Sequence, residues 1–179
     1  MKLLFFFLPA HGHINPTLPV AKELIQRGEQ IVYYTTEEFK KRITEIGAEV
    51  RIVDDEFGIH MNKGNANKSV STVPNPETLL ANLSNHVQKA SRLVEQVKLE
   101  SDDGIVYDPM CLWGRTIFEQ LDIPRILFYS GMVIPPDSPI LQYLSTWFQG
   151  EIPEIVNKMF MVKEEVNIAP VPREFQPDS

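Results

Sequence analysis

Cysteine is nearly absent: Cys111 is the single one in 179 residues, so no disulfide can form within the chain and no thiolate cage can hold a metal. The cytoplasm is the expected location. No cluster of Lys and Arg occurs either, since 17 basic side chains stand against 24 acidic ones, giving a net charge of −7 and a pI near 5.1. This balance argues against nucleic acid or an anionic membrane as main partner and favours a small or neutral ligand. The apolar run Leu3 to Leu8 is far too short to cross a bilayer, and no membrane span is expected. With Pro9 and His11 behind it and no small-x-small cleavage pattern, the run reads as a buried strand and not as a signal peptide. The loop after it also lacks the glycines of a G-x-G-x-x-G turn. A dinucleotide pyrophosphate seated on a helix N-terminus therefore loses its physical basis there.

What is present is an alternation of apolar strands and amphipathic helices. With 43% apolar and 23% charged residues the chain can bury a core of its own. Leu3 to Leu8 is the first strand, and Leu18, Ala21, Leu24 and Ile25 follow at helical spacing before Gly28. Asn15 can cap that helix with Pro16 at its first position, or Thr17 can cap it with Pro19 in the first turn. Gln30 to Thr35 reads as strand two, Glu37 to Ile46 as a helix with a charged face, and Ala48 to Val53 as strand three. The polar stretch 62–69 reads as a surface loop, and Pro76 to about Glu100 as one long helix with an apolar stripe. Gly104 to Tyr107, Leu112 to Leu121 and Arg125 to Tyr129 continue the rhythm as strand, helix and strand. Half of the 14 prolines lie from Pro135 onward, and only short helices near Ile140 to Phe148 and Glu154 to Met161 are expected there, then extended chain. The fold class is α/β, a Rossmann-like doubly wound parallel sheet.

Such a sheet, with strand order 3-2-1-4-5, binds ligands at the carboxyl ends of strands one and four, where the chain reverses direction. His13 follows strand one and Asp108 follows strand four. A carboxylate from one loop can fix the tautomer of an imidazole from the other, leaving the second ring nitrogen free to take a proton. A general-base dyad is thus expected from His13 and Asp108. His11-Gly12-His13 can bind zinc or copper in principle, but no third ligand at suitable spacing accompanies it, and no metal is expected.

The segment Leu8-Pro9-Ala10-His11-Gly12-His13-Ile14-Asn15-Pro16-Thr17-Leu18, followed by Ala21-Lys22-Glu23-Leu24, Arg27-Gly28 and Tyr33-Tyr34-Thr35-Thr36-Glu37-Glu38-Phe39, resembles the amino-terminal domain of bacterial UDP-glycosyltransferases of the macrolide glycosyltransferase type. Val106-Tyr107-Asp108 with Trp113-Gly114-Arg115 is similar to the segment that carries that family's dyad acid. Val166-Asn167-Ile168 and Pro172-Arg173-Glu174-Phe175-Gln176-Pro177 resemble the end of the same domain. The resemblance implies half of a GT-B enzyme, with 1–165 as a Rossmann-like acceptor-binding domain and 166–179 as an extended segment leading toward an interdomain linker. His13 would deprotonate the hydroxyl of a small apolar acceptor and Asp108 would stabilise the imidazolium. His11 would only flank the site. Acceptor contacts are expected from Gly12, Ile14, Phe57, Met110, Ser130 and Met132, in loops after strands one, three, four and five.

In the family the donor domain carries a His-Cys-Gly-rich segment that cradles the diphosphate, and nothing like it occurs here. The resemblance therefore implies no tightly bound cofactor, a UDP-sugar as co-substrate, and a donor-binding domain on a missing carboxyl-terminal half or on another chain. Without that domain the chain is expected to be inactive. The reading of a different class is a noncatalytic Rossmann-like module, or a degenerate remnant, that binds a small apolar molecule.

Overall fold

Strands β1 (Lys2–Phe6), β2 (Gln30–Thr35), β3 (Glu49–Ile52), β4 (Gly104–Tyr107), β5 (Arg125–Phe128) and β6 (Val166–Ile168) form one parallel sheet in the order β3-β2-β1-β4-β5-β6. The structure is a computed structural model that describes residues 1–53, 76–100, 103–131, 133–135, 138–160, 162–172 and 174. Phe57, Met132 and the loop 62–69 lie outside the described residues.

Parity along each strand decides which side chain meets which layer, because successive Cβ atoms point to opposite faces. Leu3, Phe5, Ile31, Tyr33, Val106 and Phe128 face helices α2 (Thr17–Gln26) and α3 (Glu37–Thr44), which contribute Ala21, Phe39 and Ile43. Leu4, Phe6, Val32, Tyr34, Ile105, Tyr107 and Leu127 face α5 (Val94–Lys98) and α6 (Leu112–Phe118), meeting Val94, Val97, Trp113, Ile117 and Phe118. Both faces are covered, as an all-parallel sheet requires. On the second face α6 lies unusually close to β1: a Cβ added at Gly114 would stand 2.9 Å from Phe6 Cβ and 3.0 Å from Cys111 Sγ. Only glycine fits without moving a neighbour.

Two expectations about helices change in detail. The helical stripe from Pro76 is divided into α4 (Pro76–Ala90) and α5 by a 3-10 turn at Ser91–Leu93. There the Ser91 hydroxyl donates back to the Val87 carbonyl at 3.4 Å, the type of local bond that bends helices. The residues after β1 form not one helix start but a single turn, α1 (His11–Ile14), followed by α2. Neither of the expected caps operates: Pro16 occupies the cap position of α2, and Thr17 turns inward. Its hydroxyl donates to the Ile14 carbonyl at 2.8 Å and meets the Tyr33 hydroxyl at 2.7 Å. Gly28, at φ 89°, closes α2 as expected. Its N–H donates to the Ile25 carbonyl and that of Glu29 to the Leu24 carbonyl, the paired bonds of a Schellman ending.

Beyond β5, α7 (Pro139–Trp147) and α8 (Glu154–Phe160) form with α4 a smaller apolar cluster around Leu83, Leu112 and Val156. The extended chain expected after residue 165 enters the sheet as β6, pairing Leu127 with Asn167. No helix of the described residues is long and apolar enough to cross a membrane.

Candidate active site

The carboxyl ends of β1 and β4 are adjacent because Phe6 pairs with Tyr107 in the parallel register, and the Asp108 N–H donates to the Phe6 carbonyl at 3.0 Å. This juxtaposition brings the two chemically distinctive loops together. After β1 the chain passes through Phe7 and Leu8, both buried, and turns into α1 at Ala10, whose extended backbone places the helical turn over the sheet edge. The turn is pinned from outside, since Asn15 Oδ1 accepts from the Arg42 guanidinium at 2.5 Å and His11 Nε2 lies 3.5 Å from Glu38 Oε1. His13 points from it toward Asp108.

His13 Nδ1 and Asp108 Oδ2 are directly hydrogen-bonded. Asp108 is 1% exposed, whereas the His13 side chain is 25% exposed, so the acid is sealed and the imidazole reaches the surface. An ionised carboxylate can only accept, which assigns the proton to Nδ1 and leaves a lone pair on Nε2. The carboxylate is held by two further donors: the Met110 N–H on Oδ1 at 2.8 Å and the Ser130 hydroxyl on Oδ2 at 2.9 Å. A buried charge with this many donors is stabilised where it stands. Cys111, one turn away and fully buried, is affected as well: burial, and then the Asp108 charge, push its thiol well above the ordinary range. It is no nucleophile.

Around the exposed edge of His13 opens a cleft of about 320 Å³, lined among others by Pro109, Met110, Ile134, Ile140, Met159 and Phe160. A larger groove of about 490 Å³ runs past α4, α6 and α8, but its charges neutralise one another in the pairs Arg115–Glu119 and Lys158–Glu154. The smaller cleft is the one that combines an apolar wall with a titratable pair, and it is the better candidate for chemistry. Among the described residues no group of three or more His, Cys, Asp or Glu side chains is placed to hold a metal.

The residues singled out from sequence therefore separate. His13 and Asp108 meet, and Met110 and Ser130 both line the cleft and bond to Asp108. Ile14 does not reach the cleft. It is fully buried in the core beside Phe5 and Phe7, because its place at the end of α1 turns it toward the sheet. Gly12 is exposed on α1, with open space around it, and is not part of the cleft wall. Phe57 and Met132 lie outside the described residues. The sequence reading missed Tyr129, Ile134, Ile140, Met159 and Phe160 as wall residues; an apolar patch on two short helices near a proline-rich stretch was the only signal.

No family model matches the chain. Relatives of known class do. The chain is 36% identical over 124 residues to the uncharacterized UDP-glucosyltransferase YojK of Bacillus subtilis (strain 168), an overlap of 69% of this chain and 30% of that protein. It is 26% identical over 185 residues to the NDP-glycosyltransferase YjiC of the same organism, 94% of this chain and 45% of the relative. Among solved structures, CalG4, the calicheamicin glycosyltransferase, superposes with a TM-score of 0.71 at 21% identity, covering 98% of this chain and 49% of that one. The chain spans half or less of the length of these relatives. The recurring motifs, the sheet order and these likenesses agree: the chain belongs to the bacterial UDP-glycosyltransferases of the macrolide glycosyltransferase type, corresponding to the amino-terminal domain of their GT-B fold.

Proposed function

We propose that this chain is the acceptor-binding, catalytic-base half of an inverting glycosyltransferase that uses a UDP-sugar. The observation that carries the proposal is the Asp108–His13 pair at the mouth of an apolar cleft. A small apolar molecule lies against Met110, Ile134, Met159 and Phe160 and presents one hydroxyl to His13 Nε2. His13 takes the hydroxyl proton as the oxygen attacks the anomeric carbon of the sugar. The bond from that carbon to the UDP oxygen breaks, UDP leaves with the electron pair, and the anomeric configuration inverts. Asp108 stabilises the imidazolium that forms and holds the ring in the productive tautomer.

No step of this chemistry needs a metal. It does call for a second domain, because among the described residues that line the cleft there is no lysine or arginine to hold the diphosphate; the donor half would be a further domain of the same protein or of another chain. The buried, unreactive state of Cys111 is compatible with a cytoplasmic setting. Supplying a donor domain in trans from a homologous enzyme, with UDP-glucose and a panel of phenols, tests the reading. His13→Ala should reduce transfer by about 100-fold or more, in the range that general bases contribute, and Asp108→Asn should reduce it less. Calorimetry on the chain alone should detect the phenol and not the UDP-sugar. Undiminished transfer by His13→Ala overturns the mechanism, and micromolar binding of UDP-glucose by the chain alone overturns its description as the acceptor half.

A further inference from the structure

Asp108 carries more than one partner on the oxygen that serves His13. Oδ2 receives both the His13 Nδ1–H and the Ser130 hydroxyl, the latter at 2.9 Å, while Oδ1 is taken by the Met110 N–H. A carboxylate has no proton to give, so Ser130 must donate. Its hydroxyl therefore competes with the imidazole for the negative charge on one and the same atom. Competition of this kind is strong where water is excluded, and Asp108 is 1% exposed. Ser130 lies two residues beyond β5 and Asp108 one residue beyond β4, so the pairing of these neighbouring strands brings the two side chains together at the same sheet edge.

We propose that Ser130 is a positioning residue that acts on His13 through Asp108, limiting how much of the carboxylate charge the imidazole receives and so setting the basicity of the ring. The proposal rests on the reading of His13 and Asp108 as a dyad. It gives Ser130 a role distinct from that of a cleft wall: a wall residue changes which molecules bind, whereas this one changes the pH at which His13 is in its proton-accepting form. A hydroxyl donor on Oδ2 draws on part of the carboxylate charge that would otherwise stabilise the imidazolium.

The test follows the His13 ring signals by NMR as a function of pH in the full 179-residue chain, with His11, His60 and His86 as internal references. Removing the donor in Ser130→Ala should move the midpoint of the His13 signal upward by about half a pH unit, roughly a threefold change in proton binding, because Met110 and the buried surroundings still hold the carboxylate. Ser130→Thr keeps the hydroxyl and should return the midpoint to the wild-type value. Asp108→Asn should move it downward. An unchanged or lowered midpoint in Ser130→Ala, in a chain whose amide spectrum is otherwise native, overturns the role of Ser130. An unchanged midpoint in Asp108→Asn overturns the dyad itself, so the two failures are separable.

Discussion

Glu100 gives the most exacting test of how this domain is held together. It follows α5 and closes a cluster at one side of the sheet: Lys2 Nζ lies 2.5 Å from Oε2, Arg51 Nε 2.6 Å from Oε1, and the Tyr34 hydroxyl 3.4 Å from Oε1. The Arg51 hydrogen bonds, opposed by burial and reinforced by Lys2, hold its carboxyl down at about 2 against an ordinary value of 4.5. That gap corresponds to roughly 3 kcal/mol. Its side chain is 12% exposed and its partners are 18% and 31% exposed, so solvent screening reduces the useful part to about 2 kcal/mol. A carboxyl depressed on folding stabilises the domain above its unfolded value. The contribution is therefore complete above pH 4.5, more than half lost by about pH 3, and gone below about pH 2. Denaturant unfolding of the wild type and Glu100→Gln at pH 7, 4.5 and 3 measures it. The difference between the two should be about 2 kcal/mol at pH 7 and shrink as the pH falls, because protonated Glu100 then resembles the amide. A difference that is absent at pH 7, or that persists undiminished at pH 3, refutes the electrostatic origin.

Gly114→Ala should destabilise the domain by about 1–3 kcal/mol in the same unfolding assay, since the new methyl meets Phe6 Cβ at 2.9 Å and the backbone behind it cannot recede without opening the contact between α6 and β1. Cys111 should resist thiol reagents in the native chain, and its labelling rate should follow the denaturant-dependent population of unfolded protein, because burial both blocks access and suppresses the thiolate. Tyr129→Phe deletes the hydroxyl that donates to the Val162 carbonyl at 3.0 Å. It should weaken phenol binding severalfold by calorimetry, yet leave the His13 NMR titration in place.

Much of this architecture is legible in the sequence where one physical signal acts alone. The run Gly104 to Tyr107 is buried on both faces, and its limits agree between sequence and structure. β6 escaped recognition as a strand for the opposite reason: Val166, Asn167 and Ile168 are all exposed at a sheet edge, so no burial pattern marks them, and only pairing with β5 makes them a strand. The split between α1 and α2 was hidden because Asn15, Pro16 and Thr17 each satisfy a capping rule, whereas the winning interaction, Thr17 with Tyr33, joins residues 16 apart in sequence. The meeting of His13 and Asp108 could be foreseen because topology alone brings the carboxyl ends of β1 and β4 together. The walls of the cleft could not, since Met159 and Phe160 reach it only through the packing of α8.

The two strand ends beside the cleft divide the work by parity. At β4, Tyr107 turns to one face, where its hydroxyl donates to Glu164 at 2.7 Å, and the next residue, Asp108, turns to His13. Beyond β5 the arrangement repeats: Tyr129 holds the Val162 carbonyl, and the next residue, Ser130, donates to Asp108. The tyrosines thus fasten the connection between α8 and β6, and α8 supplies Met159 and Phe160 to the cleft. Each of two neighbouring residue pairs contributes one side chain to the polar centre and one to the anchoring of the apolar wall. Because a strand alternates its faces at every residue, a slip of one position in the β4–β5 register would exchange the two sets and lose both together. The register pairing Tyr107 with Leu127 is fixed by the buried rows on either face, so the position of the reactive pair and the shape of the space before it are set by the same core packing.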